Sequence, residues 1–364
     1  MSAQPLQAQP SGPNRLLCSE ADKTYGDFRD DLSRDGYAII KGAIPRERAD
    51  QYADDINLGF NRHDPSTIHH RHLPHITEKG MILHYAATHE AFTWRIRSEP
   101  GISAPFALVY DTPDLLVSFD ALNASFPART DLPANAPWPH QDQDPERAGF
   151  RCLQGLVNLL PNGARDGGLI VCRGAHRLSD EYHAAMREAG DERIAAWTSE
   201  WYGVTERGMG WLRERGCEWV KLCAEPGDLL VWDSRTPHYN LSPAADEEGE
   251  GGEKARPRFA VYTCYMPVAE ATQEDLRRKR GAFEKRVGTT HWPNAKHVGS
   301  NVAKRDGEDD PHNRFRPVDE PVLDERTFRL TGIPYIQETA EVPSAATVDI
   351  PQTQTGQLEV VVGA

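Results

Sequence analysis

The sequence predicts a mainly β protein, a sandwich or a barrel with flanking helices. Short apolar runs recur through the middle of the chain, and several of them alternate apolar with polar residues. Turn signals rich in Gly, Pro and Asp separate these runs, and no long helical segment lies between most of them. The predicted strands cover 107–111, 115–126, 152–160, 168–172, 228–234 and 258–266.

Three helices are predicted around these strands. The first covers 45–60, where a proline suits the first turn and apolar residues recur on one face. The second follows the 168–172 strand and has Ser179 as its N-cap. The third covers 271–287, with Thr272 and Asp275 at the spacing of a capping box, and is expected to pack outside the strands.

A single domain over 18–338 is predicted, flanked by terminal segments 1–17 and 339–364 that lie outside it. Residues 1–17 are rich in Gln, Pro and Ser, a composition typical of disorder. Residues 339–364 carry no aromatic side chain and form a tail or a loosely docked extension. Inside the domain, a helical insert is expected at about 179–219, and the acidic, Gly-rich stretch 244–254 is expected to be a surface loop.

Composition excludes several classes of function. The net charge of −14 argues against nucleic-acid partners, which are bound through an excess of Lys and Arg. No apolar run approaches the roughly 18 residues that a membrane helix needs, and no basic stretch precedes an apolar one as in a secretory signal. The six cysteines show no CxxC pair, which predicts reduced thiols in a cytoplasmic protein.

The chemistry is concentrated in the segment WPHQDQDP, which contains His140 and Asp142. In a strand, residues i and i+2 project from the same face, so both side chains can reach one metal ion. A histidine and a carboxylate are two of the three ligands in the facial triad of non-haem Fe(II) oxygenases. This pair is therefore the candidate metal site, although His-x-Asp alone is a weak signal.

A third ligand is expected from a distant strand. His238 lies 96 residues after Asp142 and follows the strand-like segment DLLVWDS. A ligand at a strand end can point into the mouth of a barrel. Three ligands on one face leave three positions for a bidentate co-substrate and O2.

Arg258 follows His238 by 20 residues and is the first residue of the predicted strand 258–266. An Arg fork binds a carboxylate through two parallel hydrogen bonds, which suits the distal carboxylate of 2-oxoglutarate. Arg256 is the competing candidate. Arg258 is preferred because the alternation of side chains along a strand places it on the same face as Ala260 and Tyr262.

The order HQD, GGLIVCRGAH, PGDLLVWDSRTPH and RFAVYTCY resembles the phytanoyl-CoA dioxygenase (PhyH-like) superfamily over roughly residues 30–270. The resemblance implies a double-stranded β-helix, the jelly-roll or cupin-like fold, with Fe(II), 2-oxoglutarate and O2 as reactants. It assigns the metal to His140, Asp142 and His238 and the 2-oxoglutarate to Arg258. The arginine of the family normally follows the distal histidine more closely, and the 244–254 insertion accounts for the extra length.

Other polar residues near these motifs are less specific candidates. Gln154 and Asn158 share a face of the 152–160 strand and are candidates for binding the ligands or the co-substrate, or are ordinary barrel residues. His176, in the GAH turn, is expected to be structural. The histidines between His69 and His75 lack a pattern that joins three of them, and a loop near the pocket mouth is expected there.

The expected substrate is a small metabolite, of natural-product or amino-acid type. The acidic balance disfavours acyl-CoA, which carries several phosphates. Related halogenases have a small residue where this chain has Asp142, so hydroxylation, desaturation or cyclisation is favoured. The aromatic segment 193–219 is either a lid or a packed helical insert. Two alternatives remain at this point, a cupin-like metal enzyme without 2-oxoglutarate and a non-catalytic jelly-roll binding protein.

Overall fold

The computed structural model describes residues 24–60, 79–127, 136–147, 149–193, 198–243 and 254–337, without the side chains of 57–60. The two terminal segments, the histidines between His69 and His75 and all but the last residue of the acidic loop lie outside the described residues.

Antiparallel pairing joins the strands of the described segments into two main sheets. The six-stranded sheet has the order β1-β10-β6-β12-β4-β2, and the five-stranded sheet has the order β8-β5-β11-β7-β9. Their bounds are β1 Tyr37–Ile40, β2 Met81–Ile82, β3 Leu115–Val117, β4 Leu122–Ser125, β5 His140–Gln141, β6 Leu153–Asn158, β7 Gly168–Arg173, β8 Tyr202–Gly203, β9 Glu218–Lys221, β10 Leu229–Asp233, β11 His238–Leu241 and β12 Arg258–Tyr262. A short pair joins β13, Tyr265–Pro267, to β3, and another joins β14, Lys304–Arg305, to β15, Glu308–Asp309.

Helices flank the sheets. Their bounds are α1 Phe28–Asp35, α2 Arg46–Phe60, α3 Ala91–Ser98, α4 Pro100–Tyr110, α5 Ser179–Glu188, α6 Glu206–Glu214, α7 Gln273–Glu284 and α8 Glu325–Arg329. The capping box predicted for α7 is present, because Thr272 and Asp275 each accept a hydrogen bond from the backbone N–H of the other. The sheet-rich prediction with flanking helices is confirmed.

The six-stranded sheet separates two layers of the hydrophobic core. Leu156, Leu230 and Ala260 point from this sheet toward Leu169 and Val171 of the five-stranded sheet, and these side chains form one buried cluster. On the opposite face, alternate residues such as Val157 and Val231 pack against the helices. The alternation of strand side chains therefore assigns one face to the space between the sheets and the other to the helices.

Two sequence predictions on local structure are wrong. Residues 107–111, expected as a strand, form the end of helix α4 and its cap. A short apolar run fits a buried helix as well as a strand, and Pro100 in the first turn starts the helix upstream of that run. Ser179 is the first residue of α5, not its N-cap, because a 3-10 turn over Ala175–Leu178 runs directly into the helix.

The cysteines and the lengths of the helices bear on two expectations from composition, reduced thiols and the absence of a membrane helix. Five cysteines in the described segments are free thiols, and four of them are buried. None of the helices in the described residues is long and apolar enough to span a membrane.

We expect Leu156→Ala to lower the free energy of unfolding by about 2–5 kcal/mol, because the side chain is fully buried between the sheets and its removal leaves a cavity. Leu108→Ala is the matched control. Leu108 is 51% exposed on α4, so its replacement is expected to cost within about 0.5 kcal/mol. Chemical denaturation of both variants measures the difference, and equal losses would contradict the assigned core.

Candidate metal centre

Three predicted ligands meet at two neighbouring inner strands of the five-stranded sheet, β5 and β11. His140 begins β5, His238 begins β11, and the two residues lie directly opposite each other in the antiparallel register. Asp142 follows β5, and its backbone N–H donates to the Ser234 carbonyl. All three side chains are buried, and one donor atom from each lies within 4.8 Å of the others.

Backbone carbonyls fix the orientation of both imidazoles. Nδ1 of His140 donates to the Trp138 carbonyl at 3.2 Å, and Nδ1 of His238 donates to the Thr236 carbonyl at 2.9 Å. Each ring therefore carries its proton on Nδ1 and presents an unprotonated Nε2, the form that binds a metal. These Nε2 atoms lie 3.5 Å and 3.3 Å from Oδ2 of Asp142.

The carboxylate of Asp142 is held in its charged form. Burial alone would raise its pKa, but the neighbouring imidazoles of His140 and His291 hold the pKa well below the usual range. Burial lowers the pKa of His140, which favours the neutral ring. Nε2 of Gln154, on β6 of the other sheet, donates to Oδ2 of Asp142 at 2.8 Å. Gln154 thus orients the carboxylate from across the space between the sheets.

The donor set fits a divalent transition metal. Two neutral imidazole nitrogens and one carboxylate oxygen form the 2-His-1-carboxylate arrangement that suits Fe(II) with open positions. Both histidines and the carboxylate have hydrogen-bonded partners behind them, as metal ligands do.

Two tryptophans enclose His140. The Trp138 ring stacks on the imidazole at a centroid distance of 4.4 Å, and the Trp201 ring lies at 5.5 Å with an interplanar angle of 18°. Trp201 belongs to the aromatic segment. Among the described residues of that segment, Trp211 and Trp219 pack with α5 and α6 in a separate core cluster, as the packed interpretation expects, and Trp201 lies beside the metal centre.

Arg258 is a buried cation at the start of β12. It is 2% exposed, its Nη1 has no hydrogen-bond partner, and no carboxylate of the described residues lies within ion-pair distance. Arg256, the competitor, lies on the surface and forms an ion pair of 2.7 Å with Asp166. Since an unpaired buried charge is costly, Arg258 has the properties of an anion site and Arg256 does not.

A chain of polar groups leads from the triad toward Arg258. Asn240 is two residues after His238 on β11, and its Nδ2 donates to the hydroxyl of Tyr262 at 2.9 Å. Tyr262 shares a strand face with Arg258. Lys221 is close to Arg258, and burial, with the charge of Arg258, lowers the pKa of Lys221 to about 8.

The other sequence candidates lie away from the metal. Nδ2 of Asn158 donates to the carbonyls of Leu160, Ala224 and Glu225, so its amide nitrogen is used to hold a turn. His176 is buried and its Nε2 contacts the Ser33 carbonyl, which is the structural role expected for it.

Sequence reasoning missed His291. Its Nδ1 lies 3.9 Å from Oδ2 of Asp142, although the residue is 149 positions away in the chain. No motif signals it, since it lies in a segment without regular structure after α7. Its position depends entirely on tertiary packing.

Comparison with known proteins gives one extensive relative. The Ava biosynthesis cluster protein O of Aspergillus versicolor is 38% identical over 277 residues, which is 74% of this chain and 86% of the relative. A Dictyostelium discoideum protein that carries the name phytanoyl-CoA dioxygenase is 23% identical over 117 residues, 32% of this chain and 28% of its own length. No family model matches the chain.

Solved structures with some similarity include the epimerase SnoN in complex with Fe3+, alpha ketoglutarate and nogalamycin RO. It is 18% identical with a TM-score of 0.45, over 66% of this chain and 82% of SnoN. The apo form of EctD from S. alaskensis is 15% identical with a TM-score of 0.46, over 71% of this chain and 83% of EctD.

We expect Asp142→Ala to weaken the binding of Fe(II) or Ni(II) by about 100-fold or more, which exceeds the effect of losing an outer partner of a ligand. The reason is that Asp142 supplies the one anionic donor of the three. Anaerobic calorimetry measures the affinity. Asp144→Ala is the control, because the Asp144 side chain bonds only the Glu146 backbone, and equal affinities of the two variants would remove Asp142 from the ligand set.

Proposed function

The chain belongs to the same family as the Ava biosynthesis cluster protein O, within the phytanoyl-CoA dioxygenase-like superfamily of Fe(II)/2-oxoglutarate oxygenases, and we propose that it is a dioxygenase that oxidises a small-molecule metabolite. The observation that carries the proposal is the combination of a buried His-Asp-His triad with a buried arginine that forms no ion pair with the described residues. The triad suits the metal, and the arginine suits the distal carboxylate of the co-substrate.

In this proposal His140, Asp142 and His238 hold Fe(II) and leave its remaining positions open. The bound iron with 2-oxoglutarate and O2 would supply the oxidation: CO2 is released, one oxygen atom enters succinate, and the other enters the substrate in hydroxylation or leaves as water in desaturation or cyclisation. The protein contributes position and exclusion of water. Gln154 holds the carboxylate, the Trp138 and Thr236 carbonyls hold the imidazoles, and Trp138 shields one face of His140.

Arg258 binds the distal carboxylate of 2-oxoglutarate in this proposal. The strand holds its guanidinium in a buried position. None of the described residues supplies a carboxylate to neutralise that charge, so a bound anion would stabilise it. The hydroxyl of Tyr262, held by Asn240, offers a further polar contact on the way from His238 to Arg258. Gly168 keeps this space open, because a Cβ there would lie 3.1 Å from Nε of Arg258.

We extend the proposal to the architecture, a jelly-roll domain over 18–338. Two facing antiparallel sheets with the metal centre between them support that fold. The late segments also pack back onto the early ones: Lys279 of α7 donates to the Val117 carbonyl, and the Leu330 carbonyl accepts from the Val117 N–H. These contacts support one domain rather than two.

For the substrate we propose a small natural product or amino-acid-like metabolite. The relative of Aspergillus versicolor takes its name from a biosynthesis cluster, which supports a role in making a natural product. The net charge of −14 speaks against an acyl-CoA. Because Asp142 fills the position that halogenases leave small, the outcome proposed is hydroxylation, desaturation or cyclisation.

The proposal predicts a weak visible charge-transfer band when Fe(II) and 2-oxoglutarate are added to the protein without oxygen. Arg258→Ala should raise the 2-oxoglutarate concentration at half-saturation by about 10- to 100-fold, because a charge-assisted pair of hydrogen bonds is lost. Titration of the band measures the change.

Arg256→Ala is the matched control, since that guanidinium is paired with Asp166 on the surface, and its half-saturation should equal that of the unaltered protein. A band that never forms in iron-loaded, folded protein would overturn the proposal. Activity that survives Arg258→Ala would favour a cupin-like metal enzyme, and a fold that iron does not stabilise would favour a binding protein.

A further inference from the structure

His291 lies beside the metal centre, and its ring forms no hydrogen bond with the described residues. Its Nδ1 is 3.9 Å from Oδ2 of Asp142, which is beyond hydrogen-bond distance. Its Nε2 is buried and without a partner among the described residues. A buried ring nitrogen without a partner is unusual, because buried polar groups are paired in most proteins.

The same segment contains three more buried polar atoms without a partner among the described residues. They are Oγ1 of Thr290, Nε1 of Trp292 and Oδ1 of Asn294. Each such atom costs about 1–3 kcal/mol unless something bonds to it. Four such atoms fall within five consecutive residues, and His291 is the one that lies beside the metal centre.

Packing on three sides holds this segment, defined as Thr289–Lys296, in place. The backbone N–H of Thr289 donates to the Phe119 carbonyl, and Trp292 packs against Cys152 and Cys264. At its far end, Lys296 forms an ion pair with Glu200, which also accepts the backbone N–H of Asp144 at 3.2 Å. Glu200 therefore ties the segment to the loop that carries Asp142.

His291 does not belong to the ligand set. The donor atoms that lie within 4.8 Å of one another come from His140, Asp142 and His238 alone among the described residues. The ring thus lies next to the triad without being part of it.

We propose that His291 is a further active-site residue, one that hydrogen-bonds through Nδ1 to an oxygen atom of the small molecule bound at the metal. This inference rests on the proposed function. The oxygen atom belongs either to the metal-binding carboxylate of 2-oxoglutarate or to the ligand at the O2 position.

Two probes distinguish these sources in His291→Ala. The first is an anaerobic titration of the Fe(II) protein with 2-oxoglutarate, followed by the charge-transfer band. The second is nitric oxide added to the Fe(II)·2-oxoglutarate complex as a substitute for O2, followed by electron paramagnetic resonance. The affinity for one of the two probes should fall about fivefold, as expected for the loss of one hydrogen bond, and the corresponding spectrum should shift.

His291→Gln retains a hydrogen-bonding side chain and should recover part of the affinity and of the spectral position. His84→Ala is the control, because His84 contacts the Ser300 carbonyl and the ring of Tyr85 and, within the described part of the chain, no triad residue. If both affinities and both spectra of His291→Ala and His291→Gln equal those of His84→Ala, the inference is wrong while the proposed function stands. Absence of the band from the unaltered protein would instead count against the proposed function.

Discussion

The antiparallel pairing of β11 with β5 is the contact on which the candidate site depends. It places His238 directly opposite His140, two residues that are 98 positions apart in the chain. Once these backbones are paired, the turn after β5 brings Asp142 against both rings, within 3.5 Å of each. Because each imidazole also donates to a carbonyl two residues away, the ligand geometry is a direct consequence of strand geometry.

The six-stranded sheet supplies the other half of the site. Gln154 reaches across the space between the sheets to Asp142, and Arg258 enters the same space from the start of β12. A guanidinium buried there without an ion pair among the described residues destabilises the folded protein unless it binds an anion. A metal held by the triad and a distal carboxylate held by Arg258 would then place 2-oxoglutarate beside Asn240 and Tyr262.

The local rules of sequence were sufficient for much of this. Alternation along a strand correctly put Arg258 on the same face as Ala260 and Tyr262, and the capping box of α7 follows from two residues. The same rules failed at 107–111, because apolar residues in a short run do not distinguish a buried helix from a strand. They also gave Gln154 and Asn158 equal weight, whereas the structure bonds the first to Asp142 and uses the second to hold a turn.

The sequence by itself determined the chemistry of the site: a His-x-Asp pair, a distant histidine at a strand end and an arginine in phase with the strand face. These features are local, since each depends on residue type and on the period of a strand. Only the tertiary structure decided between Arg256 and Arg258, because the choice depends on which guanidinium meets Asp166. Only the tertiary structure brought in His291, since packing against Phe119, Cys152 and Glu200, rather than any spacing in the chain, carries that segment to the metal centre.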